Sequence, residues 1–324
     1  MGYKILVYWQ ITEEQKQKIR EIADKYGCMT IFVTDLKEAK AEAEAADADI
    51  MFGANPEPLR EARKLKWFCT HWAGVNHYLT EGVLPNESCH LSNSAGAYGV
   101  TISEHIIMTA LIMMRQFVSY EKIMNDTTAE KWGHEIPMHS LCGSRITVLG
   151  TGDIGTTFAK RVRGFEPASV VGVNRSGRMA PEYDKVCRVS ELASVLPQTD
   201  LLVMSLPETP ETIGILNRDM IALLPENAYL VNVGRGSAID ETALTDALNG
   251  GKLAGAALDV MQTEPVPVDS PLRTAKNILL TPHCAGQMTL GYTREKSVEM
   301  FCEDLENFLN GRPLVHEVDR KRGY

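Results

Sequence analysis

The chain has 324 residues, of which 44% are hydrophobic and 23% are charged, as in an ordinary globular protein with room for two domains. Its net charge of −9 argues against nucleic acid or an anionic membrane surface as a partner. No apolar run approaches the roughly 18 residues of a membrane span, and the first residues lack a signal-peptide pattern, so neither a membrane partner nor secretion is expected.

Cysteine and histidine usage points to a reduced, metal-free protein. Seven cysteines are scattered along the chain without any CxxC pair, which indicates free thiols and predicts a cytoplasmic location. The eight histidines show no metal-ligand spacing, so no metal site is expected.

The first part of the chain alternates between strand-like and helix-like segments. Short apolar runs predict strands, while residues 12–26 carry apolar side chains at helical spacing, among them Ile19, Ile22 and Ala23. The predicted elements are strand 4–8, helix 12–26, strand 29–33, helix 36–46, strand 49–52 and strand 67–71. This alternation predicts an α/β unit with a largely parallel sheet.

A long apolar stretch follows, which predicts one continuous helix over residues 101–124. Its apolar side chains nearly encircle the helix, so we expect it to be buried inside the protein or in a subunit interface.

Three glycines directly after the apolar run 146–149 form the most informative motif. Gly150, Gly152 and Gly155 have the spacing that joins a strand to a helix in dinucleotide-binding folds. The first glycine permits a tight turn, the second lets the backbone approach a pyrophosphate, and the third lets helix and strand pack closely. Alone, the three glycines equally fit an ordinary strand–turn–helix unit, but a second β-branched strand at the right distance favours the dinucleotide site.

That second strand ends at Asn174, 19 residues beyond Gly155, where such folds place the residue that contacts the adenosine ribose. An acid there would repel a 2′-phosphate, but this chain has Asn174 followed by Arg175 and Ser176. We therefore expect NADP as the preferred cofactor, with NAD possible. The alternative is that Arg175 and Arg178 are ordinary surface arginines on a loop.

Later strands end in side chains that suit the reduction of a keto acid. Arg235, Glu264 and His283 each follow one of the predicted strands 229–233, 254–258 and 278–280. Because parallel strands end at one edge of a sheet, we expect the three side chains at that edge. Arginine can bind a carboxylate, histidine can exchange a proton with a carbonyl or hydroxyl, and an acid can orient the imidazole.

These motifs together resemble the D-isomer-specific 2-hydroxyacid dehydrogenase family over nearly the whole chain, in particular the glyoxylate/hydroxypyruvate reductases of NADP type. The matching segments are 72–75, 103–105, 150–155, 207–212, 232–236, 259–265 and 282–286. The resemblance implies two Rossmann-like, doubly wound α/β domains with a cleft between them. The smaller, flavodoxin-like substrate-binding domain would be discontinuous, over 1–97 and 291–324, and residues 98–290 would form the NAD(P)-binding domain. A homodimer through the cofactor domains is also implied.

The same resemblance implies roles for individual residues. Arg235 would bind the substrate carboxylate, His283 would be the general acid/base, and Glu264 would pair with His283. Substrate-binding residues would be Ala73, Gly74, Val75, Arg235 and His283. Cofactor-binding residues would be Gly150, Gly152, Asp153, Ile154, Gly155, Asn174, Arg175, Ser176, Leu206, Pro207, Thr212, Val233, Gly234, Asp259 and Gly286. The implied reaction is hydride transfer between the nicotinamide and a small or medium 2-keto acid, which gives the D-2-hydroxy acid.

Two other functions of this fold remain open from the sequence. One is a nucleotide-sensing corepressor that binds peptides, and the other is a formate or phosphite dehydrogenase. A phosphorylated substrate is disfavoured because the loops 53–57 and 72–78 carry no arginine. His71 and His77 flank the loop that the resemblance assigns to the substrate carboxylate. We expect them to be ordinary exposed loop histidines, with substrate contact as the alternative, and we expect His105 to be structural because it lies inside a helix.

Overall fold

The computed structural model describes residues 2–33, 44–86 and 88–323, which fall into two compact units. One unit comprises Met1–Tyr98 and Met288–Tyr324, and the other comprises Gly99–Gln287. Most of the predicted helix 36–46 lies outside the described residues. Helices and strands are numbered below along the whole chain.

The first unit contains a five-stranded parallel sheet with strand order β2-β1-β3-β4-β5. Its elements are β1 (Lys4–Val7), α1 (Glu13–Lys25), β2 (Met29–Phe32), β3 (Ile50–Gly53), β4 (Trp67–Thr70), β5 (His90–Ser92) and the C-terminal helix α8 (Gly291–Leu309). Thr12 begins α1 with a capping box, in which its hydroxyl accepts from the Gln15 amide while the Gln15 side chain accepts from the Thr12 amide.

Alternating residues of this sheet build a core on each face. Phe52 of β3 stacks on Phe301 of α8 at 4.2 Å between ring centroids, and Trp67 stacks on the same ring at 5.2 Å. Leu6 and Phe68 belong to the core on the other face. A parallel sheet with both faces covered explains why these strands read as continuous apolar runs.

The second unit contains a seven-stranded parallel sheet with strand order β12-β11-β10-β9-β6-β7-β8. Its strands are β6 (Arg145–Leu149), β7 (Ser169–Asn174), β8 (Lys185–Arg188), β9 (Leu201–Met204), β10 (Ala228–Asn232), β11 (Leu253–Leu258) and β12 (Ile278–Leu280). Its helices are α2 (Gly99–Met114), α3 (Phe117–Asn125), α4 (Asp153–Val162), α5 (Leu192–Val195), α6 (Arg218–Leu223) and α7 (Glu241–Asn249). The two parallel sheets confirm the predicted α/β fold class.

The prediction of one continuous helix over 101–124 is wrong. The chain leaves α2 at Arg115, and Gln116 takes a left-handed conformation (φ +53°) before α3 begins. α2 carries nine buried residues, whereas α3 carries none. A break made by a glutamine with positive φ leaves no glycine or proline signal in the sequence.

Two strands were missed by the sequence reading, β5 at the edge of the first sheet and β8 at the edge of the second. Both are short edge strands of three and four residues. In the described part of the chain, no helix is long and apolar enough to cross a bilayer.

Candidate active site

The glycine turn between β6 and α4 has the geometry of a phosphate cradle. Gly150 adopts φ +104°, and a Cβ built on Gly155 would lie 2.0 Å from the Gly150 carbonyl oxygen. Gly152 caps α4 without a side chain, and a Cβ placed there would meet no atom within 4 Å. The first turn of α4 therefore opens onto free space with its amide N–H groups, the arrangement that binds a pyrophosphate.

Asp153, at the first position of α4, is engaged within the unit. Its Oδ2 accepts a hydrogen bond of 2.7 Å from the Gly99 amide at the start of α2. This contact joins the two helices that pack against each other on the sheet, so the Asp153 carboxylate has a structural role here.

The loop after β7 is organised by Asn174. The Asn174 Nδ2 donates to Thr151 Oγ1 at 2.8 Å, and its Oδ1 accepts from the Gly177 amide at 2.7 Å. These bonds join the loop to the glycine turn and leave Arg175 and Ser176 exposed. The amide of Asn174 thus positions the loop at the point where an acid would meet a ribose.

The remaining candidate residues follow strands that end at one edge of the same sheet. Leu206 and Pro207 follow β9, Val233 and Gly234 follow β10, and Asp259 follows β11. The loop after β9 is closed by Thr212, whose hydroxyl donates to the Pro207 carbonyl oxygen at 2.7 Å. All these strands are parallel, so their carboxyl ends and the glycine turn share this edge.

His283 and Glu264 form a hydrogen-bonded pair. The His283 Nδ1 lies 2.9 Å from Glu264 Oε2, and the other carboxylate oxygen accepts from the Met261 amide at 2.9 Å. His283 adopts φ +52°, and its side chain remains 52% exposed. Because Nδ1 faces the carboxylate, Nε2 is the ring nitrogen left for proton exchange.

Arg235 follows β10 and is half-buried at the same sheet edge. Burial lowers the pKa of its guanidinium, while the nearby charges of Glu208 and Glu264 oppose this shift. Asn232 braces the turn, since its Nδ2 donates to the Arg235 carbonyl oxygen at 2.9 Å. Glu208, which accepts from Ser237 Oγ at 2.5 Å, is an acid near the arginine that the sequence analysis did not identify.

Asp259 holds the segment that carries His283. Its Oδ1 accepts from Thr281 Oγ1 at 2.6 Å and from the Cys284 amide at 2.9 Å, and its Oδ2 accepts from the Ala285 amide at 3.0 Å. The Asp259 carbonyl oxygen also accepts from the His283 amide at 2.9 Å. This buried carboxylate therefore fixes the backbone on both sides of the histidine.

His105 of α2 contributes to this network from a distant part of the sequence. Its Nε2 lies 3.3 Å from Thr281 Oγ1, 176 residues away. Burial lowers the pKa of His105, and the neighbouring Asp259 opposes the shift. No local pattern in the sequence marks such a contact, since it depends on the packing of α2 against the sheet.

In the first unit, the loop 73–75 is separated from the end of β4 by two residues. Asn93 Nδ2 donates to the Ala73 carbonyl oxygen at 2.7 Å, and the Val75 side chain is buried. His71 is only 6% exposed and stacks on Trp9 at 4.2 Å between ring centroids. Burial lowers its pKa to about 3, so His71 is a neutral core histidine.

Comparisons with known proteins agree with this architecture. The family model of the NAD-binding domain of D-isomer specific 2-hydroxyacid dehydrogenases matches residues 107–285. A glyoxylate/hydroxypyruvate reductase A of Escherichia fergusonii is 33% identical, over 91% of this chain and 96% of its own length.

Two solved structures extend the similarity over nearly the whole chain. A D-isomer specific 2-hydroxyacid dehydrogenase family protein of Aeromonas salmonicida has a TM-score of 0.85 and 30% identity, covering 99% of this chain and 100% of its own. An NADPH-dependent glyoxylate/hydroxypyruvate reductase of Sinorhizobium meliloti, solved with NADP and sulfate, has a TM-score of 0.83 and 25% identity, with 100% of both chains covered. The chain therefore belongs to the D-isomer specific 2-hydroxyacid dehydrogenase family, whose members are NAD(P)-dependent oxidoreductases.

Proposed function

We propose that this enzyme reduces a small or medium-sized 2-keto acid to the D-2-hydroxy acid with NADPH. The observation that carries the proposal is the His283–Glu264 pair, joined at 2.9 Å on the sheet edge that also holds Arg235 and the glycine turn. A proton donor, a carboxylate-binding cation and a dinucleotide cradle on one sheet edge suit hydride transfer to a keto acid.

Each of the three side chains has one task in the proposed reaction. When bound, the nicotinamide cofactor would supply the hydride that reduces the carbonyl carbon. Arg235 binds the substrate carboxylate and polarises the carbonyl group. Protonated His283 donates its Nε2 proton to the oxygen as it becomes a hydroxyl, while Glu264 accepts a hydrogen bond from the Nδ1–H group and keeps the ring oriented.

The residues around the cradle fit a dinucleotide. Gly150, Gly152, Ile154 and Gly155 shape the turn and the amides of α4 that would hold the pyrophosphate. The other residues proposed to hold the cofactor are Asp153, Asn174, Arg175, Ser176, Leu206, Pro207, Thr212, Val233, Gly234, Asp259 and Gly286.

A preference for NADP rests on the loop after β7. Asn174 occupies the position where an aspartate or glutamate would repel a 2′-phosphate. Arg175 and Ser176 are exposed beside it. A charge-assisted hydrogen bond contributes about 1.5–3 kcal/mol, enough to favour NADPH by roughly tenfold or more. The Sinorhizobium meliloti relative is likewise NADPH-dependent.

The names of the relatives suggest which keto acids this enzyme reduces. Several curated relatives are glyoxylate/hydroxypyruvate reductases, and we propose short 2-keto acids of this kind as substrates here. In the first unit, the backbone at Ala73, Gly74 and Val75 would bind the substrate carboxylate.

The deciding experiment measures oxidation of NADPH and of NADH by absorbance with glyoxylate, hydroxypyruvate, pyruvate, phenylpyruvate and 2-ketoisocaproate. We expect turnover of at least one acid, with kcat/KM for NADPH about tenfold above that for NADH. The variant Arg235→Gln tests the proposed binding of the substrate carboxylate. Its kcat/KM for the keto acid should fall at least about a hundredfold, while its affinity for NADPH should be unchanged. Tight NADPH binding without turnover of any acid would instead favour a nucleotide-sensing binding protein.

The proposal includes a homodimer through the unit Gly99–Gln287. Large apolar side chains are exposed on and after α2 and α3 of this unit, namely Met108, Phe117, Val118, Met124, Trp132 and Met138. We infer that these side chains contribute to the subunit interface, since exposed apolar surface is covered in many protein–protein contacts.

A further inference from the structure

Arg188 lies next to the loop that follows β7, although it belongs to another strand. It is the last residue of β8, and its register partner on β7 is Asn174. The two strands are parallel, and neighbouring strands lie about 4.8 Å apart, so both residues end at the same sheet edge. The backbone of Arg188 is therefore adjacent to Asn174.

The shape of the loop brings Gly177 against the Arg188 side chain. Asn174 Oδ1 accepts the Gly177 amide at 2.7 Å, and Gly177 takes φ +69°. A Cβ built on Gly177 would lie 2.9 Å from Arg188 Cγ and 3.5 Å from its Nε. The arginine side chain thus lies along the loop, in space that the missing side chain of Gly177 provides.

Within the part of the chain that the structure describes, Arg188 forms no ion pair within 4.0 Å of an acid. Among the described residues, the arginines of this unit that form ion pairs within 4.0 Å are Arg145, Arg161, Arg163 and Arg218. The nearest acid in sequence, Glu191, accepts the backbone amide of Arg188 at 2.8 Å. Arg175, Arg178 and Arg188 therefore place three cations around one short loop.

Glu211 is an acid that interacts with Arg175 of this loop. Hydrogen bonds from its own amide and from Thr209 lower the pKa of the Glu211 carboxyl, and Arg175 lowers it further. Among the described residues, neither Arg178 nor Arg188 forms an ion pair with an acid within 4.0 Å.

We propose that Arg188 is a specificity-determining residue for the cofactor, a third cation that binds the 2′-phosphate from β8. This inference rests on the proposed preference for NADPH. A phosphate monoester offers three acceptor oxygens, and a guanidinium can bind two of them with parallel hydrogen bonds. Arg188 would contact the 2′-phosphate and leave the parts shared by both cofactors untouched.

The test compares Arg188→Gln with the wild type in equilibrium binding of NADPH and NADH, followed by calorimetry. We expect the Kd for NADPH to rise about tenfold, whereas the Kd for NADH changes less than about twofold. Arg188→Lys should keep part of the preference, because it retains the charge and loses the bidentate geometry. Lys185→Gln is the matched control, since it removes one exposed charge from the other end of β8 and should leave both Kd values unchanged.

The results of these binding measurements distinguish the role of Arg188 from the preference for NADPH on which it rests. A wild-type enzyme that binds NADH as tightly as NADPH would overturn the proposed cofactor preference. A wild type that prefers NADPH, with an unchanged ratio of Kd values in Arg188→Gln, would overturn the role of Arg188 alone. An equal loss of affinity for both cofactors would also contradict it, since that result indicates a structural defect.

Discussion

A single hydrogen bond between His283 and Glu264 carries most of the chemistry proposed for this enzyme. The two residues are 19 positions apart and follow neighbouring strands of one sheet. Asp259 holds the backbone at and directly after the histidine, since it accepts hydrogen bonds from the amides of His283, Cys284 and Ala285. The residue types at the strand ends made the His283–Glu264 pair predictable. The hydrogen bonds from the His283 segment to Asp259 depend on how the loop after β12 folds.

Glu264→Gln should lower kcat for keto acid reduction more than it changes substrate binding. Glutamine can still form a hydrogen bond with the ring, but it lacks the carboxylate charge beside the proton donor, so kcat should fall at least about tenfold while KM changes less than about twofold. The measurement is kcat and KM for keto acid reduction with saturating NADPH.

Glu241→Gln serves as the control for that comparison. Glu241 accepts the Gln262 amide at 2.6 Å in the same loop region but makes no bond to His283 among the described contacts. Its kcat should match the wild type. A Glu264→Gln variant with the kcat of the wild type would exclude Glu264 from the acid/base pair.

At the scale of elements, β6, the glycine turn and α4 are in close backbone contact at the candidate site. A Cβ on Gly155 would lie 2.0 Å from the Gly150 carbonyl oxygen and 3.0 Å from Val148 Cγ1. Backbone cannot yield as a flexible side chain can, so the helix must move away from the strand if this glycine is replaced.

Gly155→Ala should therefore reduce both stability and cofactor binding. Overpacking of this kind costs about 1–3 kcal/mol of unfolding free energy, and the displaced amides of α4 should weaken NADPH binding. Urea denaturation and NADPH titration measure the two effects. Gly164→Ala is the control, because a Cβ there meets no atom within 4 Å, and equal stability of the two variants would contradict the close-packing argument.

Two element boundaries could not be predicted from the sequence. The break between α2 and α3 at Gln116 lies within an apolar run that reads as one helix. The spacing of apolar side chains does not reveal a single residue with left-handed backbone conformation. The break between the helices therefore could not be predicted from the sequence. The short edge strand β8 was missed for a related reason, and with it the position of Arg188.

At the scale of the molecule, the exposed apolar residues of the unit Gly99–Gln287 predict self-association. Phe117 is 59% exposed and Trp132 is 79% exposed. We expect a dimer by sedimentation velocity, and Phe117→Glu should shift it toward monomer because a charge would be buried without a partner. Val268→Glu is the control, since this residue is 92% exposed in the same unit, and it should remain a dimer. A wild-type protein that is monomeric at micromolar concentration would contradict the proposal.

The sequence by itself determined the family, the two-sheet α/β fold and the residue types at the strand ends, and the comparisons confirm the family and the fold class. Periodicity and glycine spacing report these features because they depend on local backbone geometry. Only the tertiary structure decided that Asp259 and His105 support the His283 segment, that Glu208 lies near Arg235, and that Arg188 lies beside Gly177. Each of these contacts joins residues from separate elements, and the packing of the sheet with its helices brings them together.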